Sequence, residues 1–275
     1  MKNMKKFLAL AMAAAMVLGV AGCSSSSSEK EPENTQQTEG ETEGTEQSEG
    51  NTGVIRMGCS ADFPPFESYA DDGATIVGYD VDMMQEVCNR IGMELEVQDM
   101  NFDAVVTAVQ TGKLEVGVSG ITITDERKNS VNFSESYFMA AQSILVPKDS
   151  AIKGYQDLLD GDYKAGVQLG TTGDIMASEK LGDRVSQFEK YGDALAAMLA
   201  GKVDCMVLDT GVAEAFAAAN DLVVLEETFG TEEDTEYYGI AIAKENTELL
   251  DKVNTALADM KEDGFFDELN AKYFG

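Results

Sequence analysis

The sequence predicts an α/β protein of two lobes, each a mainly parallel sheet flanked by helices, with the chain crossing twice between them. Three observations carry that expectation. From residue 54 to 275, short apolar segments alternate with amphipathic ones, the rhythm of sheets covered by helices. The 222 residues of that stretch exceed what one small core serves. Two short stretches read as passages between lobes: Ser136 to Gln142, where a helix-and-loop region gives way to SILVPK, and Thr235 to Tyr238, after the acidic run TEEDTE. Lobe 1 is then residues 54–137 plus 238–275, and lobe 2 is 138–237 with hinge segments at its ends. A cleft with two connections suits hinge closure around a ligand.

Ahead of the lobes, Lys2, Lys5 and Lys6 precede the apolar run FLALAMAAAMVLGV, and small residues lead into Cys23, so residues 1–22 read as an export signal. The run is too short to favour a membrane span. Val20-Ala21-Gly22-Cys23 resembles the bacterial lipobox, which implies a lipidated Cys23 as the first mature residue, anchored at the extracytoplasmic face of the cell membrane. Residues 23–53 carry eight glutamates and one lysine among Ser, Thr, Gln, Gly and Asn. Such a segment buries too little apolar surface to fold and reads as a self-repelling tether.

Charge and composition exclude several classes. The chain carries a formal charge of −30, and residues 54–275 hold 16 basic against 42 acidic side chains. Nucleic acid is an improbable partner, because phosphate contacts need clustered Lys and Arg. With no histidine, imidazole-dependent triads and the Cys–His pair are excluded. Cys59, Cys88 and Cys205 form no CxxC pair and give no zinc spacing, so they read as buried thiols, with one disulfide left open by an oxidising compartment. TEEDTE fits no EF-hand and reads as a solvated loop. No metal and no cofactor is expected.

Taken in order, the strand-like segments are VIRMGC, LEVQDM, LEVGVSG, SILVPK, YKAGVQL, VSQFEK, VDCMVLD, LVVLEE and YYGIAIAK. The helix-like ones are VDMMQEVCNRIG, FDAVVTAVQTG, GDIMASEKLG, GDALAAMLAGK, GVAEAFAAAN and NTELLDKVNTALADMKEDG. Alternation of this kind favours ligands at the carboxyl ends of the strands.

Three motifs point to binding rather than catalysis. In SGITITDERK, Arg127 closely follows a Gly-Ile-Thr-Ile-Thr segment, which suits a pocket that holds a small carboxylate by paired hydrogen bonds; a surface pair with Asp125 or Glu126 is the alternative. GTTGD joins the strand AGVQL to a helix, where exposed backbone N–H groups favour an anion near Thr172, or where Thr171 or Thr172 simply caps. It lacks the lysine of a nucleotide loop. Asp209 ends VDCMVLD before TGVAEAF, placed to cap a helix or to accept a cation.

From VIRMGCSADFPPFES to AKYFG the chain resembles the polar amino acid substrate-binding proteins of ABC importers, solute-binding protein family 3, with the type II periplasmic-binding-protein fold. The ordered motifs are ADFPPFE, VGYDVDMMQEV, MNFDAVVTAVQTGKLEVGVSGITITDERK, GVQLGTTGD, VDCMVLDT and EYYGIAI. The resemblance implies that Arg127, Thr122 and Thr172 hold the ligand's α-carboxylate, and that Asp209 and the carbonyl of Gly120 hold its α-ammonium. It places Ser60, Asp62, Phe63, Phe102 and Gln168 around the ligand's side chain, with Phe63 and Phe102 sandwiching it. Gln168 and Leu208 are the polar and apolar wall candidates. Ser60 stands where binders of basic amino acids in this family commonly place an acid, which turns the expectation toward a polar or small uncharged amino acid, with arginine-type and cystine-type ligands open.

The function so implied is capture without chemistry: a monomeric, lipid-anchored receptor closes on an L-amino acid and presents it to membrane permease subunits. Two other classes are weighed against it. A prephenate or arogenate dehydratase is built on a similar fold but would have to lose the ammonium site, against which Asp209 argues. A sensory module would share the pocket and differ only in its partner.

Overall fold

The computed structural model of the chain describes residues 53–231 and 234–275. The signal-like segment 1–22, Cys23 and the tether as far as residue 52 lie outside the described residues.

The described chain opens with β1 (Val54–Cys59), whose Ile55, Met57 and Cys59 are buried. A small antiparallel sheet of β2 (Asp62–Phe63), β3 (Glu67–Tyr69) and β4 (Ile76–Val77) leads into α1 (Tyr79–Ile91). That helix buries Tyr79, Met83, Met84, Val87 and Cys88 on one face, the helical spacing of an apolar stripe, and stops at Gly92 in the left-handed conformation. β5 (Glu94–Asp99), α2 (Phe102–Gln110), β6 (Val116–Gly117), the single turn α3 (Asp125–Lys128) and β7 (Val131–Phe133) follow. The chain then passes through β8 (Phe138–Ala140) into a second set: β9 (Gln142–Pro147), α4 (Tyr155–Asp160), β10 (Ala165–Gln168), α5 (Thr172–Leu181), β11 (Val185–Phe188), α6 (Tyr191–Leu199), β12 (Cys205–Asp209), α7 (Thr210–Ala219) and β13 (Leu222–Thr228). It returns through β14 (Glu236–Tyr238) to β15 (Ala241–Ala243), α8 (Thr247–Glu262) and α9 (Phe265–Phe274).

Two five-stranded sheets result, in the orders β5-β1-β6-β15-β7 and β11-β10-β12-β9-β13. They define lobe 1 and lobe 2. In each, four strands run one way and one runs against them, β15 in the first and β9 in the second. The reversed strand is in both cases the first one after a crossing. Its direction follows from where the chain arrives: Ala241 pairs with Gly117 and Gln142 with Asp209, so each enters beside the carboxyl end of a parallel strand and must run backward. The crossings pair with each other as an antiparallel ribbon, Phe138 opposite Tyr238 and Ala140 opposite Glu236. Phe66, Phe138, Tyr238 and Phe274 pack ring to ring around it, with centroids 4.9 to 5.6 Å apart, so the C-terminal helix clasps the ribbon against lobe 1.

The segment YYGIAIAK, expected as one strand, is two. Tyr237 and Tyr238 belong to the ribbon and Ala241–Ala243 to the lobe 1 sheet, with Gly239 and Ile240 turning between them. LEVGVSG keeps strand pairing only at Val116 and Gly117, because the chain turns away at Gly120, whose φ is +52°.

Candidate functional site between the lobes

Strand ends place the site. On lobe 1, β1 runs out into Phe63, α2 begins at Phe102, and the chain after β6 supplies Gly120, Thr122 and Arg127. On lobe 2, the turn after β10 supplies Gln168, Thr171 and Thr172, and β12 ends in Asp209. These nine residues line one cavity of about 10 Å³, close to the room one water needs. As it stands the cavity has no room for a larger guest.

Arg127 sits on the one-turn helix α3, fixed there because the Thr124 hydroxyl accepts its backbone N–H at 3.2 Å. Its guanidinium lies 5.4 Å from the centroid of the Phe102 ring and donates to the carbonyls of Thr122 (2.8 Å) and Gly170 (3.0 Å). Desolvation pulls its pKa below the ordinary value, opposed by the carboxylates of Glu236 and Asp209. The pairing with Asp125 or Glu126 does not form; Lys128 reaches Asp125 instead.

Opposite stands Asp209. It occupies the N-cap position of α7, yet its side chain makes no capping bond and instead accepts the Tyr238 hydroxyl at 2.6 Å. Burial, and then the neighbouring Glu236, push its carboxyl up to about 8. Glu236 accepts Gln142 Nε2 at 2.9 Å and the Thr122 hydroxyl at 3.3 Å. One guanidinium therefore faces two buried carboxyl groups.

At the start of α5 the two threonines divide the labour that either could have done. Thr171 caps, its hydroxyl accepting the Asp174 N–H at 3.0 Å. That leaves the Thr172 hydroxyl free to face lobe 1, 3.5 Å from the Thr122 hydroxyl and 3.4 Å from Gln142 Nε2. Gly120 must be glycine for two reasons: its backbone is left-handed, and a Cβ there would stand 2.5 Å from Phe63.

Ser60 and Asp62 do not line the cavity. They stand one layer out, behind Gln168, whose Nε2 donates to the Ser60 hydroxyl (3.2 Å) and the Glu189 carbonyl (3.1 Å). Asp62 accepts the Ser60 hydroxyl at 2.7 Å and the Tyr191 N–H, and burial raises its pKa. Lys190 reaches across from lobe 2 to Asp99 (2.8 Å), the Met100 carbonyl (3.0 Å) and the Ser60 hydroxyl (3.2 Å). Leu208, a wall candidate in the sequence, is fully buried in the core, because both faces of β12 are covered, Met206 and Leu208 packing on one side and Cys205 and Val207 on the other, and only its last residue, Asp209, reaches the cavity.

The cavity thus brings together Arg127, Thr122, Thr172, Asp209, Gly120, Phe63, Phe102 and Gln168. Sequence reasoning missed Glu236, Gln142, Tyr238 and Lys190. The first three come from the crossings, and the only signal of Glu236 was an acidic run indistinguishable from a solvated loop. Cys59, Cys88 and Cys205 are free and buried, and burial raises all three thiols, Cys88 to about 11 and Cys205 to about 12. Among the described residues, no three His, Cys, Asp or Glu side chains form a group fit to hold a metal, and no helix is long and apolar enough to cross a membrane. Chemically, a fixed cation from one lobe and a carboxyl from the other can hold the two ends of a zwitterion.

Comparison with known proteins places the chain in a family and a fold. The family "Bacterial extracellular solute-binding proteins, family 3" matches residues 55–275. The arginine-binding extracellular protein ArtP of Bacillus subtilis (strain 168) is 32% identical over 98% of both chains. Among solved structures, holo ArgBP from T. maritima is 43% identical, with a TM-score of 0.71 over 81% of this chain and 96% of that one. An ancestral arginine-binding protein bound to glutamine is 38% identical, with a TM-score of 0.75 over 81% of this chain and 98% of its own.

Proposed function

The chain belongs to the bacterial extracellular solute-binding proteins of family 3, and from that premise we propose that it captures a polar L-α-amino acid between its lobes and delivers it to an ABC importer. The observation that carries this reading is the opposition of Arg127 and Asp209 across one small cavity. Arg127, with the Thr122 and Thr172 hydroxyls beside it, takes the α-carboxylate. Asp209 and the Gly120 carbonyl take the α-ammonium. Phe63, Phe102 and Gln168 surround the side chain, backed by Ser60 and Asp62. Binding both charges from opposite lobes favours the closed arrangement over the open one, since the bound molecule has more partners there.

Several finer parts belong to the same proposal. The protein performs no chemistry; it acts as a monomer; Cys23 carries the lipid that anchors it outside the membrane; and β8 and β14 are the hinge. Relatives named for arginine and a glutamine-bound neighbour make these two the first probes. The test is calorimetric titration of the protein, unfolded and refolded to strip carried-over ligand, with the common L-amino acids. Saturable binding of one of them, lost when its α-ammonium or α-carboxylate is removed, is the expected result. Heat signals from none of them would sink the reading.

A further inference from the structure

Wholly within lobe 1, two acids are buried with no cation in contact among the described residues. Glu67 at the start of β3 and Asp80 in the first turn of α1 are both fully buried. They meet because Gly78 lacks a side chain: a Cβ there would collide with the Phe66 backbone, forcing β3 away from α1. Asp80 Oδ2 accepts the Gly120 N–H and the Tyr137 hydroxyl, each at 2.9 Å. Glu67 Oε1 accepts the Ser119 hydroxyl, and Ser119 Oγ accepts the Ser60 N–H at 2.9 Å. The remaining oxygens, Glu67 Oε2 and Asp80 Oδ1, are buried and find no hydrogen-bond partner among the described residues.

Ionised carboxylates only accept, so two buried acids with no cation beside them, each with one oxygen left without a donor, are satisfied together by a proton held between them. We infer that Glu67 and Asp80 share one proton and, as a pair, position the Ser119-Gly120 turn for the ligand, so that affinity weakens when the shared proton is lost. The inference rests on the receptor reading above and adds positioning residues and a pH dependence to it. Asp80 holds the amide of the glycine whose carbonyl that reading assigns to the α-ammonium. The same carboxyl oxygen holds Tyr137, whose N–H donates to Tyr238 at the crossing (3.0 Å), so the pair ties the turn to the ribbon.

Burial first, and then mutual repulsion in the case of Glu67, raise both carboxyl groups, Asp80 to about 7 and Glu67 well above its ordinary range. The other titratable groups facing the pair are Asp62, Cys59, Tyr79 and Tyr137, and burial pushes the last three further up. Carboxyl groups raised by folding stabilise the protein while protonated, and that contribution is lost as pH climbs through their folded values. Asp209 acts in the opposite sense on affinity, because it must ionise to meet an ammonium group. The two effects are separated by a variant that alters one of them.

Glu67→Gln supplies a permanent N–H to Asp80 and still accepts from Ser119, reproducing the protonated pair without a titrating proton. Full-length wild type and variant are titrated calorimetrically with L-arginine and L-glutamine at about pH 6 and about pH 9.5, because the last proton of the pair leaves above the value at which Asp80 loses the first. The expected result is equal affinity at the lower pH and a wild-type Kd that rises several-fold relative to the variant's at the higher. A wild-type-to-variant ratio that is the same at both pH values overturns the inference while leaving the receptor intact, and so does an equal loss at both. Binding of no amino acid by the wild type at either pH defeats the receptor reading and this inference with it. Asp80→Asn supplies the same donor from the other side, so a Glu67 variant that fails to fold leaves its mirror image to decide.

Discussion

Lobe 1 holds most of its share of the site with its own atoms, whereas lobe 2 presents its share from helix starts whose side chains lean on the crossing strands and on the other lobe. Arg127 is braced by Thr124, Thr122 and Phe102 of lobe 1, with one bond across the cleft to the Gly170 carbonyl, and Gly120 is held by Asp80. Asp209 instead rests on Tyr238 of the ribbon, and Thr172 lies against Thr122 and Gln142. The difference teaches that the two halves contribute differently to capture. Lobe 1's share is held largely by contacts that do not involve the other lobe, an arrangement that keeps the ordering cost of binding low. Lobe 2's share depends more on contacts with the crossing strands and the other lobe, Asp209 on Tyr238 and Thr172 against Thr122.

Substitutions on the two sides break or sharpen that contrast. Arg127→Ala has the largest expected effect, about 3–5 kcal/mol of binding free energy, because it leaves a desolvated carboxylate unpaired. A titration with affinity retained would remove Arg127 from the site. Asp209→Asn comes next, costing about 2 kcal/mol for an amino acid and far less for the same molecule without its α-ammonium. Equal losses for both ligands would contradict the division between lobes. Thr171→Ala is the smallest. Removing the cap of α5 costs about 1 kcal/mol of stability, seen as a lowered melting temperature, while the Thr172 hydroxyl and the affinity it serves remain.

Most of the cavity's lining was legible in the sequence because strand–turn–helix junctions mark themselves. GITIT before Arg127, GTTGD and the terminal Asp209 of VDCMVLD each sit where an apolar run ends, and the family resemblance then assigned roles that spacing alone left open. Whether Thr171 or Thr172 caps, and whether Asp209 caps at all, turned on hydroxyl and carboxyl partners far away in the chain. The crossings were harder. Glu236 reads as one more acid in TEEDTE, and only the pairing of β14 with β8 turns it inward against Gln142. Ser60 and Asp62 fall behind the cavity because Gln168 and Lys190 bond to Ser60 from the opposite lobe, a contact over 100 residues apart in sequence. The C-terminal helix was hidden for a local reason: FFDELNAKYF continues the polar-apolar pattern of α8, and the break is a single left-handed glycine, Gly264.

The paired crossings have an architectural consequence. Phe138 and Tyr238 face each other across the ribbon, so the hundred or so intervening residues leave lobe 1 and return to it through adjacent positions. Lobe 2 is therefore a cassette spliced into a host. A tight hairpin closing the ribbon in its place would leave the lobe 1 sheet with every strand it has now, and a lobe of different size could be grafted at the same two points without disturbing the host's strand order.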